Sequence, residues 1–411
     1  MIIKNANIFI DGEFVKGSIS FGKTIEKIWT PNAEVELAGS DGVSASTIDD
    51  LESARVSEFT VEEIIDAKGA YLIPGLIDVH THGAMNCDAS DGDLDGIKTM
   101  ARYYASEGVT SWCPTTMTLK EPELTKAVES IRDYELTREC GAKVAGIHME
   151  GPFVSKEKCG AQNPDNLALP DIEMFNRLQA ASGNLIKLIT IAPELDGAVD
   201  FIKEISKSGS DSASGSCSGS VAVSVGHTTA NYETAMAAFD AGADHVTHLF
   251  NAMPPLAHRE PGVIGAAFDS GAYVELITDG FHIHPTVIRM TSDLAWGDLI
   301  LISDSLRCAG MPDGDYELGG QMITMKDSKA YISGTNTIAG SSISLMEGLR
   351  RAVSYGINLE DAIEAATMTP ALSIGVSDKV GSIEVGKAAD LVLLDNDLNV
   401  LNVFIDGEPI N

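Results

Sequence analysis

"GLIDVHTHG" (residues 75–83) is a short apolar run that stops on two histidines, His80 and His82. Side chains on a strand alternate between faces, so residues two apart share one face. Four more runs rich in Val, Ile, Leu and Thr end in the same way. They deliver Glu150 in "HMEGP" (148–152), His227 in "VGHT" (225–228), His248 in "THLFNAMP" (247–254) and Asp304 in "LISDS" (301–305). One His-x-His pair is weak evidence, but five separate strand ends carrying ligand-type residues are hard to explain as accident. Imidazoles and carboxylates gathered like this make a hydrolytic metal centre. The pattern predicts a metal-dependent hydrolase.

Working outward, the runs 75–80, 109–116, 143–150, 187–193, 221–227, 245–250, 273–279 and 299–304 read as strands. Amphipathic segments such as 93–107, 121–139, 196–207 and 231–240 lie between them. Eight alternating units predict an α/β fold, a closed (β/α)8 TIM-like barrel with its site at the C-terminal strand ends. Residues 1–35 read instead as short strands with turns such as Asp11-Gly12, and 380–410 return to that alternation. Both chain ends are therefore expected to build one small β-sandwich, with 1–70 and 376–411 flanking a barrel at 71–375. The polar stretch 36–60 reads as an irregular excursion, and "SGSDSASGSCSGS" (208–220) as a tolerated loop on the barrel's bottom.

Composition narrows the function. An apolar fraction of 44% suits a large core, and no run approaches the roughly 20 apolar residues of a membrane span. Six cysteines without close pairing suggest reduced thiols and a cytoplasmic protein. A net charge of −32 argues against nucleic acid or an anionic membrane as partner. It also means that any phosphate on a substrate must be held by local cations.

Glu150, His227 and His248 supply two nitrogens and a carboxylate, leaving a coordination position for water. His80 and His82, with Asp304, either complete a second site or flank the first, so one or two ions are expected. Zinc, iron and manganese all suit this set. Asp304 ends strand eight, next to strand one in the ring, where it can take a proton from activated water and pass it to a leaving group. His148 shares parity with Glu150 one layer deeper and suits a hydrogen bond behind a ligand. By the same alternation Thr247 points opposite to His248, and His245 faces the outer helices in a structural role. The stiff loop 251–262 brings His258 and Arg259, cationic donors suited to a phosphate or carboxylate. Asp279 and His282 end strand seven, where His282 could polarise a carbonyl; His284 reads as peripheral.

On "PGLIDVHTHG", "HMEGPF", "GAQNP" (160–164), "VGHTTANY", "HLFNAMPPLAHREPG", "TDGFHIHP" and "AGSSISLMEG" (339–348), the chain resembles the N-acetylglucosamine-6-phosphate deacetylase family of the amidohydrolase superfamily. The resemblance runs through essentially the whole chain. It implies a barrel plus β-sandwich, a divalent metal and release of acetate from a phosphorylated 2-acetamido sugar. It implies Glu150, His227 and His248 as metal ligands, Asp304 as acid/base, and His282 at the acetamide carbonyl. It further implies sugar or phosphate contacts from Ala161, Gln162, Asn251, Ala252, Arg259 and the Ile338-Ala339-Gly340 segment, with Asp279 beside them. A homodimer is implied too, since in this family the phosphate-binding arginine can come from a neighbouring subunit.

Two features depart from the family pattern or split it. Many members carry His where this chain has Gln162, and an amide cannot take charge near pH 7, so substrate contacts there are expected to be rearranged. Some members lack His-x-His and use one metal, whereas this chain has both histidines. The galactosamine epimer remains an alternative substrate. A cyclic amidase is another alternative, but such enzymes bridge two metals with a lysine on strand four; Lys187 starts that strand, and its exit, "TIAPE", has none. A metal-free scaffold would be expected to have lost ligands, and this chain keeps them.

Overall fold

The computed structural model describes residues 1–30, 64–207 and 221–410. The segments 36–60 and 208–220, on which two of the readings above rest, lie outside the described residues. Two compact units divide the chain, Met1–Gly75 with Ser377–Asn411, and Leu76–Val376.

The first unit is a mixed sheet drawn from both chain ends. Its strands are β1 (Ile2–Ile10), β2 (Glu13–Phe21), β3 (Ile25–Trp29), β4 (Ile64–Asp66) and β5 (Tyr71–Pro74). Tyr71–Pro74 falls on the barrel side of the boundary expected at 70, yet it pairs parallel with β1 and antiparallel with Leu391–Leu394. Leu391–Leu394 in turn pairs with Val400–Ile405. Phe21 and Phe404 sit on strands well apart in the sheet order, but their rings are 5.3 Å apart. The sheet must therefore curl over a shared core of Ile3, Ile8, Ile19, Leu72, Leu391 and Phe404.

The second unit is the barrel. Its parallel strands are β6 (Leu76–Thr81), β7 (Val109–Thr116), β8 (Ile147–Glu150), β9 (Ile186–Ile191), β10 (Ala222–Val225), β11 (His245–Val246), β12 (Tyr273–Ile277) and β13 (Leu299–Ile302). They neighbour one another in chain order, and the Asp304 N–H donates to the His80 carbonyl at 2.9 Å to close the ring. The strands are buried on both faces, as a helix-covered parallel sheet requires. The helices expected from periodicity are present as α1 (Leu94–Ser106), α2 (Glu121–Thr137), and further on Ala198–Lys207 and Tyr232–Ala241. Asp93 and Asn231 cap the first and last of these by accepting backbone N–H groups.

One element is absent from the sequence reading. After β13 the chain makes an antiparallel meander, β14 (Gly314–Leu318), β15 (Gln321–Lys326) and β16 (Lys329–Ile332). Its two-residue turns, Gly319-Gly320 and Asp327-Ser328, have positive φ throughout, the signature of tight hairpins. That turn chemistry was the available signal. The meander packs Leu318, Ile323 and Met325 against Met117 and Leu306.

Candidate metal centre

Glu150 ends β8 with its carboxylate buried. Its Oε1 lies 3.1 Å from Nε2 of His227 and 3.1 Å from Nε2 of His248, and those nitrogens are 3.0 Å apart. His82 Nε2 approaches Oε2 at 3.2 Å, and His80 Nε2 is 3.5 Å from Oε1. Asp304 Oδ1 completes the group, 3.6 Å from His80 Nε2 and 3.5 Å from His82 Nε2. All six residues expected from the strand ends meet in one place.

Hydrogen bonding decides what this set can hold. His227 Nδ1 faces the Lys158 carbonyl at 2.8 Å, and His82 Nδ1 faces the Thr115 carbonyl at 3.1 Å. A carbonyl only accepts, so each Nδ1 carries a hydrogen and Nε2 is the ring atom turned toward the carboxylates. That nitrogen holds a proton against them or, in the neutral ring, offers a lone pair to a cation, and a divalent metal fits that donor set. Proton affinities show the same anionic field. Burial would lower His82, but Glu150 and Asp304 hold it up at about 9. Burial opposes ionisation of Glu150, yet His227 and His80 keep it well below the usual carboxylate range. His80, by contrast, is pushed down to about 4 by burial despite Glu150 and Asp304, which leaves its ring neutral.

Backbone geometry aims the ligands. His227, His248 and Asp304 have φ of 46°, 32° and 45°, in the left-handed region that side chains rarely adopt. Such conformations cost about 1–3 kcal/mol each and persist where the surroundings over-determine them. They also correct the parity argument. β11 ends at Val246, so alternation does not reach His248, and Thr247 bonds inward to Thr190 at 2.7 Å. His245 does stay outside the ligand cluster, with Nδ1 on Asp244 at 2.7 Å and its ring against Tyr273. His148 lies behind the ligands, Nε2 on Thr190 Oγ1 at 2.7 Å, its ring against His80. Gly340 is required where it is, because a Cβ there would stand 2.6 Å from the Asp304 carbonyl oxygen.

Two buried acids behind the site were missed. Glu275 Oε2 meets His80 Nδ1 at 2.8 Å and accepts the His248 N–H, and burial lifts its carboxyl to about 8. Asp78 accepts the N–H groups of His80 and Ser303, and burial lifts it to about 7. An acid inside an apolar strand, as in "YVELI" (273–277), was the signal, because an unpartnered buried carboxylate is costly.

A cavity of 310 Å³ opens onto the cluster, in the size range of small-molecule sites. Ala161, Gln162, Asn251, Ala252, His282, Ile338, Ala339 and Gly340 line it as expected. Met117, Lys158, Leu318 and Thr337 line it too, and were not foreseen. Gln162 is committed at both ends: Nε2 donates to Glu150 Oε2 at 2.5 Å, and Oε1 accepts the Thr118 N–H at 2.7 Å. Asp279 is not among the lining residues; it holds His282, accepting from Nδ1 at 2.7 Å. His284 is peripheral and caps the helix Pro285–Ala295. Arg259 is exposed and does not line the cavity.

Comparison with known proteins identifies the family. The amidohydrolase family profile matches residues 71–410. An N-acetylglucosamine-6-phosphate deacetylase of Bacillus subtilis (strain 168) is 36% identical, covering 91% of this chain and 93% of that protein. An N-acetylgalactosamine-6-phosphate deacetylase of Escherichia coli O157:H7 is 33% identical, covering 93% and 96%. Among solved structures, the D267A mutant of N-acetyl-D-glucosamine-6-phosphate deacetylase from Mycobacterium smegmatis, in complex with N-acetyl-D-glucosamine-6-phosphate, superposes with a TM-score of 0.85. That pair shares 28% identity over 100% of this chain and 99% of the other.

Proposed function

We propose that this chain, which belongs to the amidohydrolase family, is a metal-dependent deacetylase that hydrolyses N-acetylglucosamine 6-phosphate to glucosamine 6-phosphate and acetate. The observation that carries the reading is the convergence of imidazole Nε2 atoms on Glu150, in a family whose relatives named above act on this substrate class.

Glu150, His227 and His248 would hold the main ion, with His80, His82 and Asp304 around a second. When bound, a divalent ion lowers the pKa of water and polarises a carbonyl. Asp304, the one carboxylate at this end of β13, takes the proton of the attacking water through Oδ1 and returns it to the departing amine. His282 is held through Nδ1 by Asp279, and with a proton on Nε2 as well the ring would donate to the acetamide oxygen. The mixed polar and apolar wall around Ala161, Asn251, Ala252 and Ile338 to Gly340 receives the sugar, and Arg259 reaches the phosphate from a neighbouring subunit. Gln162 acts on the sugar side chiefly by steadying Glu150.

We assign the ion to zinc, iron or manganese, the assembly to a homodimer, and the compartment to the cytoplasm. The five described cysteines are free, and among the described residues no helix is long and apolar enough to cross a membrane. A second reading, the galactosamine epimer, is favoured by the similarity to the E. coli protein of that name. Acetate release from both 6-phosphorylated epimers, measured with metal analysis of the same preparation, tests the assignment. Absence of acetate from both sugars with metal-loaded protein overturns the deacetylase reading, and release from the galactosamine sugar alone selects the second reading.

A further inference from the structure

We propose that Lys158 is the cation of this chain that recognises the substrate's phosphate, a specificity role that rests on the deacetylase reading above. Lys158 is half-buried and is the only lysine or arginine among the residues lining the cavity. The carboxylates that share the wall, Glu150, Glu157 and Asp304, are all anionic when ionised. A dianionic substrate entering a protein of net charge −32 gains no long-range attraction, so its binding depends on charge placed at the wall itself.

The position of the ammonium suits that task. Its Nζ donates to the Met253 carbonyl at 3.3 Å, which sets it beside Asn251 and Ala252 on the neighbouring loop. An ammonium has three donors, and one long bond to a carbonyl leaves two for phosphate oxygens. Arg259, farther along the same loop, is exposed and outside the cavity wall of its own chain. The backbone of Lys158 has separate work: its carbonyl holds His227 Nδ1 at 2.8 Å. A side-chain substitution removes the cation and leaves that carbonyl in place, so the two roles can be separated by experiment.

The test compares wild type, Lys158→Gln and Lys158→Arg, metal-loaded, on N-acetylglucosamine 6-phosphate and on unphosphorylated N-acetylglucosamine. Lys158→Gln is expected to raise KM for the phosphorylated sugar roughly 10–100-fold, the range of a lost charge-assisted contact, with kcat little changed. Its kcat/KM on the unphosphorylated sugar should fall far less than on the phosphorylated one, and Lys158→Arg should recover most of the loss. Calorimetric titration with inorganic phosphate, which does not depend on turnover, should show binding by wild type that weakens in Lys158→Gln. Equal losses on both sugars, or no loss on the phosphorylated one, overturn the proposal while the deacetylase reading stands. A wild type that binds phosphate through Lys158 yet releases no acetate supports the proposal and removes the deacetylase reading.

Discussion

Glu275 Oε2 lies 2.8 Å from His80 Nδ1, and both side chains are fully buried. The Glu275 carboxyl of β12 thus fixes a histidine of β6, leaving Nε2 to face Glu150 and Asp304. Partners of this kind orient a metal ligand, and their loss typically lowers metal affinity about 10–100-fold. Glu275→Ala should show such a loss by chelator competition at neutral pH, and Glu275→Gln, which keeps an acceptor, a smaller one. Wild-type affinity in a folded Glu275→Ala protein would overturn this role.

Asp304→Asn should leave folding and the main ion nearly intact and lower kcat by about 10²–10⁴-fold, the usual range for a positioned acid/base. The amide keeps the shape of the side chain at φ 45° but cannot take a proton. Turnover above half of wild type would remove the assigned role.

Substituting the main ligands should act through the metal. Glu150→Ala or His227→Ala is expected to lose bound ion and activity together, because a three-ligand site cannot spare one. His80→Ala and His82→Ala should reduce stoichiometry from two ions toward one. A stoichiometry of one in wild type and both variants would show that the pair flanks a mononuclear centre.

Arg259 is exposed and outside the cavity wall of its own chain, and in the proposed homodimer its contact with substrate is assigned to the neighbouring site. Arg259→Ala should raise KM for the phosphorylated sugar by roughly 10–100-fold and leave the unphosphorylated one little affected. Mixed dimers of Arg259→Ala with Asp304→Asn should regain activity, since one site then has both native residues. Mixtures no more active than their parents would rule out the shared site.

Asp279 gives a pH prediction. Burial would raise its carboxyl, but hydrogen bonds and charge from His282, with the backbone N–H groups of His282 and Phe281, hold it below the usual value. A depressed folded pKa contributes stability that is present above the unfolded value, about 3.9, and is lost as pH falls through the folded value. Asp279→Asn should therefore unfold with a shallower dependence on acid in this range, followed by thermal melts from pH 6 downward. An unchanged slope would mean that the Asp279–His282 pair carries no linkage.

The sequence by itself determined the repeating units and their outlets. Apolar runs ending on His80, Glu150, His227, His248 and Asp304 mark parallel strands buried on both faces, because the C-terminal ends of such strands are where a barrel can expose polar groups. It also held the tight-turn chemistry of the meander after β13, although that signal went unread. Only the tertiary structure decided how the ligands are aimed and supported. Alternation fails at His248 because β11 stops two residues earlier and the chain turns left-handed, which no local pattern announces. Glu275 and His80 are 195 residues apart in sequence, so neither residue's surroundings name the other. Gln162 and Arg259 sit on loops and Lys158 ends a short 3-10 helix, where the chain's path rather than a strand period fixes what a side chain meets. There the fold puts Gln162 on Glu150 and Lys158 in the cavity wall, and leaves Arg259 in solvent. Period encodes the face of a strand, but distance across a barrel exists only once the ring has closed.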